Sequence, residues 1–334
     1  MGGDYGPKVT LPAAIRALKK FKNLKIILVG QEEVLNRYLR RLKPKLGDRL
    51  VIHHASEVVE MDELPSQALR SKKDSSMRVA INLVKAKEAQ ACVSAGNTGA
   101  LMATGRFVLR MLPGIDRPAI MSVMPNKPLG SIHMLDLGAN IDCTAQHLLQ
   151  FAAMGSVVAA EVGNIEQPKV GLLNVGTEEI KGSEQIKEAH NLLSECKDIN
   201  YIGYAEGNDI CMGEFDVIVC DGFAGNIALK SMEGMVKFIS YLLKQSFNKN
   251  WLTKFCALFA LPVLYTFKKN FNPDLYNGAT LVGLNGIVIK SHGGAKELGL
   301  FYAIREALIE VEKDITSQIS TQLSHILEQE NEGG

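Results

Sequence analysis

Short apolar, β-branched runs recur along the chain with helical patterns between them: LKIILVG (24–30), RLVIHHA (49–55), QACVSAG (90–96), PAIMSVMP (118–125), HMLDLGAN (133–140), KVGLLNVG (169–176), YIGYAEG (201–207) and FDVIVCDG (215–222). Strands buried on both faces read as such near-continuous apolar runs, and the helices between them supply the crossovers that parallel strands require. The rhythm predicts an α/β fold, a mostly parallel sheet covered by helices on both faces, in one large domain or two close-packed ones. With 334 residues, 46% of them hydrophobic, the chain can bury an ample core. Residues 8–18 read as an amphipathic helix led in by a Gly-rich turn from Met1 to Pro7. Residues 295–327 read as one long helix, and 331–334 as a frayed tail.

Ligands of such sheets sit beyond the carboxyl ends of strands, so the residues just after each run are the ones to inspect. SAGNTGALMATG (94–105) is the most informative stretch. Gly96 can take a positive φ, Asn97 or Thr98 can cap the helix that follows, and exposed amides at a helix start favour an anion. An ordinary strand-to-helix turn is the plain alternative. The spacing is not G-x-G-x-x-G, and in GTEEIKGS (176–183) Lys181 precedes Gly182 where a nucleotide loop needs G-K-[ST], so neither a dinucleotide nor an NTP site is expected. LDLGANIDC (135–143) offers Asp136, Asn140 and Asp142, and CDGFAGNIALK (220–230) offers Asp221 and Asn226, as acid–base groups or as helix caps. LVGLNGIVIKSHGGAKE (281–297) places Lys290, Ser291 and His292 before a Gly-Gly turn, where His292 is either a hydrogen-bond donor or a structural histidine. No G-x-S-x-G or H-E-x-x-H occurs.

Composition excludes other classes. With 37 basic and 36 acidic residues the net charge is +1, which argues against bulk nucleic-acid binding. The six cysteines show no C-x-x-C and no histidine at zinc-ligand spacing, so free thiols in a cytoplasmic protein, without structural metal, are expected. No signal peptide is present, and no apolar run reaches the roughly 18 residues of a membrane span.

One segment departs from the rest. Between Glu233 and Asp274 there is no acidic residue, while six lysines and nine aromatic residues, from Phe238 to Phe271, fall inside it. Its centre, FCALFALPVLY (255–265), is apolar, flanked by lysines and interrupted by Pro262. The stretch at about 234–273 therefore reads as an amphipathic helical segment for a membrane surface, through Trp251, Phe255, Phe259, Leu261 and Leu264, or as a hairpin buried in a dimer.

MGGDYGPK, SAGNTGALMA, DRPAI (116–120), LDLGANIDC, QFAAMG (150–155), VGLLNVGTEEIKG, CDGFAGNIALK and YNGATLVGLNGIVIKSHG (276–293) together resemble, in order and end to end, the bacterial phosphate acyltransferases of phospholipid synthesis, the PlsX family. The resemblance implies transfer of a fatty acyl group from acyl carrier protein to inorganic phosphate, giving acyl phosphate for a membrane-bound glycerol-phosphate acyltransferase. It also implies a three-layer, Rossmann-like α/β/α homodimer, each chain one large catalytic domain over residues 1–330, that needs no metal or cofactor, works peripherally at the membrane, and shares its fold with phosphate acetyltransferases and isocitrate dehydrogenase-like proteins. Two departures stand out. The resemblance implies a short strand ending in Asp-Ala ahead of the MGGD turn, which this sequence lacks and which an alternative or shortened start explains. Gly6 stands where alanine is usual.

For that reaction phosphate is the nucleophile, and a thiol of pKa near 8.5 leaves with little help. The expected cradle is Gly96, Asn97 and Thr98, with amides of Gly2 and Gly3, and Lys181 or Arg117 neutralising charge. Asn140, Asn226 and His292 are expected to position the thioester carbonyl or donate to its oxygen. Arg106, Arg110 and the lysines of 237–254 are candidates for docking the acidic carrier. The alternatives are a phosphate acetyl- or butyryltransferase using coenzyme A thioesters, a nicotinamide-dependent dehydrogenase, and a non-enzymatic membrane scaffold.

Overall fold

Pro7 opens the first helix, α1 (Pro7–Lys20), where a missing N–H is harmless and a fixed φ is useful. The computed structural model describes residues 1–42, 47–127, 130–270 and 272–332, and of residues 268–270 and 327–332 the backbone alone. After α1, β1 (Ile26–Gly30) and β2 (Leu50–His54) pair in parallel through α2 (Glu32–Leu42) and form a two-stranded sheet of their own. Helices α3 (Pro65–Ser71) and α4 (Ser76–Lys85) lead into the main sheet.

That sheet has eight strands: β3 (Ala91–Ser94), β4 (Ala119–Pro125), β5 (Ser131–Leu135), β6 (Val170–Leu173), β7 (Tyr201–Ala205), β8 (Val217–Val219), β9 (Ala279–Val282) and β10 (Ile287–Lys290), in the spatial order β3-β10-β9-β4-β5-β8-β6-β7. Pairing is parallel for β3/β10, β5/β8, β6/β8 and β6/β7, and antiparallel for β10/β9, β9/β4 and β4/β5. Strand direction thus reverses in the middle of the sheet. The carboxyl ends of β3 and β10 lie on one rim, and those of β5, β6 and β8 on the other.

Helices cover both faces: α5 (Thr98–Leu109), α6 (Ala145–Glu161), α7 (Glu184–Glu195), α8 (Gly222–Phe247), α9 (Trp251–Asn270), α10 (Glu297–Glu312) and α11 (Ile315–Glu332) complete the set. Period-two alternation sorts the side chains. Ala119 and Met121 of β4 join α6, α7 and α11 in one core, whereas Ile120 and Met124 join α4 and α5 in the other. Ile287 and Ile289 of β10 pack on α1 and α10. This is the α/β/α arrangement that the apolar rhythm predicts.

Three local expectations need correction. The long helix over 295–327 is two helices, because Asp314 takes a left-handed φ of 48°, a conformation that aspartate tolerates. The helix α9 runs through Pro262 without breaking, since the carbonyl deprived of its partner lies on an exposed surface. Asn331 and Glu332 of the expected tail belong to α11; Gly333 and Gly334 lie outside the described residues, as do Phe271 and the side chains of Lys268 and Lys269. Two strands went unread: β9 and β10 are four residues each and lie among glycines and asparagines that disguise them.

Among the described residues the two sheets share no backbone ladder. Between β1 and β3 runs a cavity of about 760 Å³, lined by Ile26 and Leu28 on one side, Ala91 and Val93 on the other, with Met77 and Ala307 beside them. Met1 packs on Gly30 at one end of the slot, and Gly2 on Gly96.

Candidate active site

Three loops meet on the first rim. Lys290 and Ser94 stand opposite each other in the β3/β10 register, and the Ser291 amide donates to the Ser94 carbonyl at 2.8 Å. The Gly96 amide donates to Ser94 Oγ at 3.2 Å. The N-terminal turn enters between these loops: a Cβ on Gly2 would lie 2.8 Å from Gly96 Cα, Gly3 needs its φ of 88°, and the Asp4 amide donates to the Gly293 carbonyl at 3.0 Å. The expected cradle residues Gly2, Gly3, Gly96, Asn97 and Thr98 are therefore neighbours.

Asn97 is engaged in holding the rim together. Its Oδ1 accepts the Ala100 amide at 3.0 Å as the cap of α5, while Nδ2 donates to the carbonyls of Met61 and Glu63, both at 2.9 Å. The side chain thus fastens the 60–64 loop across the start of α5. What it leaves for an anion is the helix terminus itself, with the Thr98 and Gly99 amides and the positive end of the dipole.

His292 is oriented by its surroundings. Its amide donates to Asn277 Oδ1 at 3.0 Å, Asn277 Nδ2 donates to Ser291 Oγ at 2.8 Å, and the Gly294 amide donates to His292 Nδ1 at 3.0 Å. With Nδ1 an acceptor, a neutral ring carries its proton on Nε2, and the side chain is exposed. Sequence reasoning missed Asp4 and Asn277, and noted Lys290 without a role. Asn277 has no signal in one sequence, because its partners lie 14 and 15 residues away across a turn.

The remaining expected residues lie on the second rim. Asp136, fully buried, accepts amides from Ile120 and Ala139 on Oδ1 and from Asn140 on Oδ2. Burial pushes its carboxyl up while these donors pull it back. Asn140 Nδ2 donates to Asp136 Oδ2 at 2.9 Å and to the Pro118 carbonyl at 2.8 Å, so this amide braces the loop. Arg117 Nη1 donates to the Asp142 carbonyl at 3.1 Å. Asn226 is exposed on α8 against Gly138. Lys181, at the end of the β6 loop, pairs with Glu178 at 2.8 Å, which pulls its pKa upward. The strand reversal accounts for this partition: the loops after β5, β6 and β8, and Arg117 just ahead of β4, lie on the rim opposite the one where β3 and β10 end.

None of the cysteines is bridged. Cys92, Cys143 and Cys220 are buried, the first two with thiols pushed up to about 12 by burial, whereas Cys211 and Cys256 are exposed.

Comparison with known proteins agrees with this architecture. A family model described as "Fatty acid synthesis protein" matches residues 1–318. A phosphate acyltransferase of Nitrosococcus oceani is 57% identical over 323 residues, 97% of this chain and 94% of the relative. One from Legionella pneumophila is 53% identical over 329 residues, 98% of this chain and 96% of the relative. Among solved structures, a phosphotransacetylase from Streptococcus pyogenes superposes with a TM-score of 0.61 at 19% identity over 92% of both chains. A branched-chain phosphotransacylase from Enterococcus faecalis gives 0.56 at 16%, covering 93% of this chain and 97% of the other. These distant structures share the fold. The near-complete match in sequence goes further: the chain belongs to the fatty acid synthesis protein family, together with these phosphate acyltransferases.

Proposed function

We propose that this acyltransferase moves a fatty acyl group from the thioester of acyl carrier protein to inorganic phosphate on the first rim. The observation that carries the reading is the meeting of three glycine-containing loops beside the start of α5, in a chain whose relatives are phosphate acyltransferases. A phosphate oxygen attacks the thioester carbonyl carbon, the carbonyl becomes an oxyanion, and collapse breaks the C–S bond. The products are acyl phosphate and the carrier's thiolate. No covalent enzyme intermediate is required. The amides of Gly2, Gly3 and Thr98 and the helix terminus hold the anion, and the Nε2 hydrogen of His292 donates to the oxyanion. Asn97 contributes by keeping the terminus in place. Arg117, Asn140, Asn226 and Lys181, on the other rim, lie outside this assignment.

The hairpin of α8 and α9 supports work at a membrane surface, with acyl phosphate passed to a membrane-bound glycerol-phosphate acyltransferase. Trp251, Phe255, Phe259 and Leu261 are exposed and Leu264 is half-buried, and a homodimer would present two such tips. Among the described residues no helix is long and apolar enough to cross a membrane.

Release of carrier thiol from acyl carrier protein, measured with and without inorganic phosphate, tests the reading. Phosphate-dependent release is expected, and faster with the carrier thioester than with acyl coenzyme A. Release indifferent to phosphate would refute it; preference for coenzyme A would move the protein to the short-chain phosphate acyltransferase class.

A further inference from the structure

Charge that balances over the whole chain is lopsided along α4 and α5. Residues 75–115 carry Arg78, Lys85, Lys87, Arg106 and Arg110 against the single acidic residue Glu88, where the full sequence has 37 basic and 36 acidic residues. The outer stripe of α5 continues from Met102 and Ala103 to Arg106, Phe107 and, at its end, Arg110; Phe107 is 52% exposed. Two guanidiniums hold that ring. The guanidinium carbon of Arg78, on α4, is 4.9 Å from the ring centroid, and that of Arg110 is 5.9 Å away. Both distances suit attraction between a cation and an aromatic face. Among the described residues none of Arg78, Arg106 and Arg110 forms an ion pair, whereas Arg16 pairs with Glu297. Arg110 caps the end of α5 with φ 67° and ψ 178°, a backbone conformation that glycine adopts freely and other residues seldom do. An arginine kept where glycine would be easier, stacked on an exposed ring and left without a counter-charge, is placed for a partner.

We infer that the face formed by Arg78, Phe107 and Arg110 is where the protein-borne acyl donor docks, through a carboxylate-bearing surface that lays an apolar side chain on Phe107. This rests on the acyl-transfer reading above for the existence of a carrier, and adds where that carrier binds; it does not depend on where phosphate sits. Each guanidinium, its plane set by the ring, keeps hydrogen-bonding edges free for a bidentate pair with a carboxylate. Arginine and aromatic side chains are also the types that carry most of the binding energy in protein interfaces. The lysines of 237–254, by contrast, are point charges on flexible stems, beside the apolar side chains proposed for the membrane surface.

The test varies acyl carrier thioester and inorganic phosphate separately in the full chain. Arg78→Gln combined with Arg110→Gln is expected to raise the donor KM about tenfold or more, leave the phosphate KM within about twofold, and flatten the fall of kcat/KM with added salt. An unchanged donor KM overturns the assignment. Arg110→Gly separates docking from structure: relieved of its strained backbone, this variant is expected to melt no lower than the wild type while its donor KM still rises. A glycine variant that melts lower and keeps the wild-type donor KM marks a structural arginine and overturns the assignment as well. A second measurement needs no turnover: labelled carrier protein without an acyl group should bind the wild type at low salt, and the double variant about tenfold more weakly or less. Variants that change the mass seen by light scattering, and not the affinity for carrier, give this face to a second copy of the chain and overturn the proposal. Carrier bound through these arginines by a protein that transfers no acyl group sinks the acyl-transfer reading and leaves the docking face standing. Transfer with a normal donor KM in the double variant does the reverse.

Discussion

Glu310 of α10 shows how a single side chain ties stability to pH. It is 1% exposed, accepts a hydrogen bond from the Thr280 hydroxyl of β9, and has Glu306 one turn before it on the same helix. Burial, and then the charge of Glu306, push its carboxyl up from 4.5 to about 8. Between those two values the folded chain keeps a proton that the unfolded chain releases, so this group's contribution is complete below pH 4.5 and declines as pH rises toward 8. Glu310→Gln keeps a hydrogen-bonding side chain and cannot ionise. Urea denaturation should find it more stable than the wild type by roughly 1–3 kcal/mol at pH 8.5, with the two converging at pH 4.5. Parallel profiles at both pH values would mean that Glu310 is ionised in the folded protein throughout. At this same scale the sequence is a partial guide. It marks Asn97 and Asn140 as special, but the hydrogen bonds that make them struts run to residues 34 and 22 positions away and are invisible in it.

The α8 and α9 hairpin is the element whose composition and structure agree most directly. Phe259 is 73% exposed and Trp251 79%, on helices that meet the rest of the chain mainly through the first turns of α8. Transferring three or four such side chains from water gains roughly 1.5–3 kcal/mol each, whereas a lysine near an anionic surface adds about 1 kcal/mol. Insertion therefore outweighs attraction. Sedimentation with anionic vesicles should persist at moderately raised salt and be lost when Phe255, Phe259 and Leu261 are all replaced by serine; a triple variant that still pellets would exclude this hairpin as the anchor. Cys256, exposed beside Phe255, offers a native position for a polarity-sensitive dye that reads the same event. The remaining elements were legible where their pattern was long or strongly apolar. The short strands β9 and β10 were not, because four residues between glycines carry too little periodicity.

At the scale of the whole molecule, the apolar rhythm identified the class of fold and the rule that function follows strand ends. It could not show that direction reverses between β4 and β5, since which strands become neighbours depends on contacts distant in sequence. That reversal is why one set of motif residues forms two groups. The slot between β1 and β3 has a different consequence, in time rather than in space. A two-stranded sheet is marginal alone, and β1 with β2 shares no backbone ladder with the eight strands beside it. Its amides should therefore exchange with deuterium in a separate, faster opening, well before those of β4, β5 and β8, and at a rate that mild denaturant barely changes. Uniform protection across both sheets would show instead that they breathe as one body. If the fast opening is found, the floor beneath Met1 and Gly2 loosens with each event, and the readiness of the proposed phosphate rim is set by the least protected part of the chain.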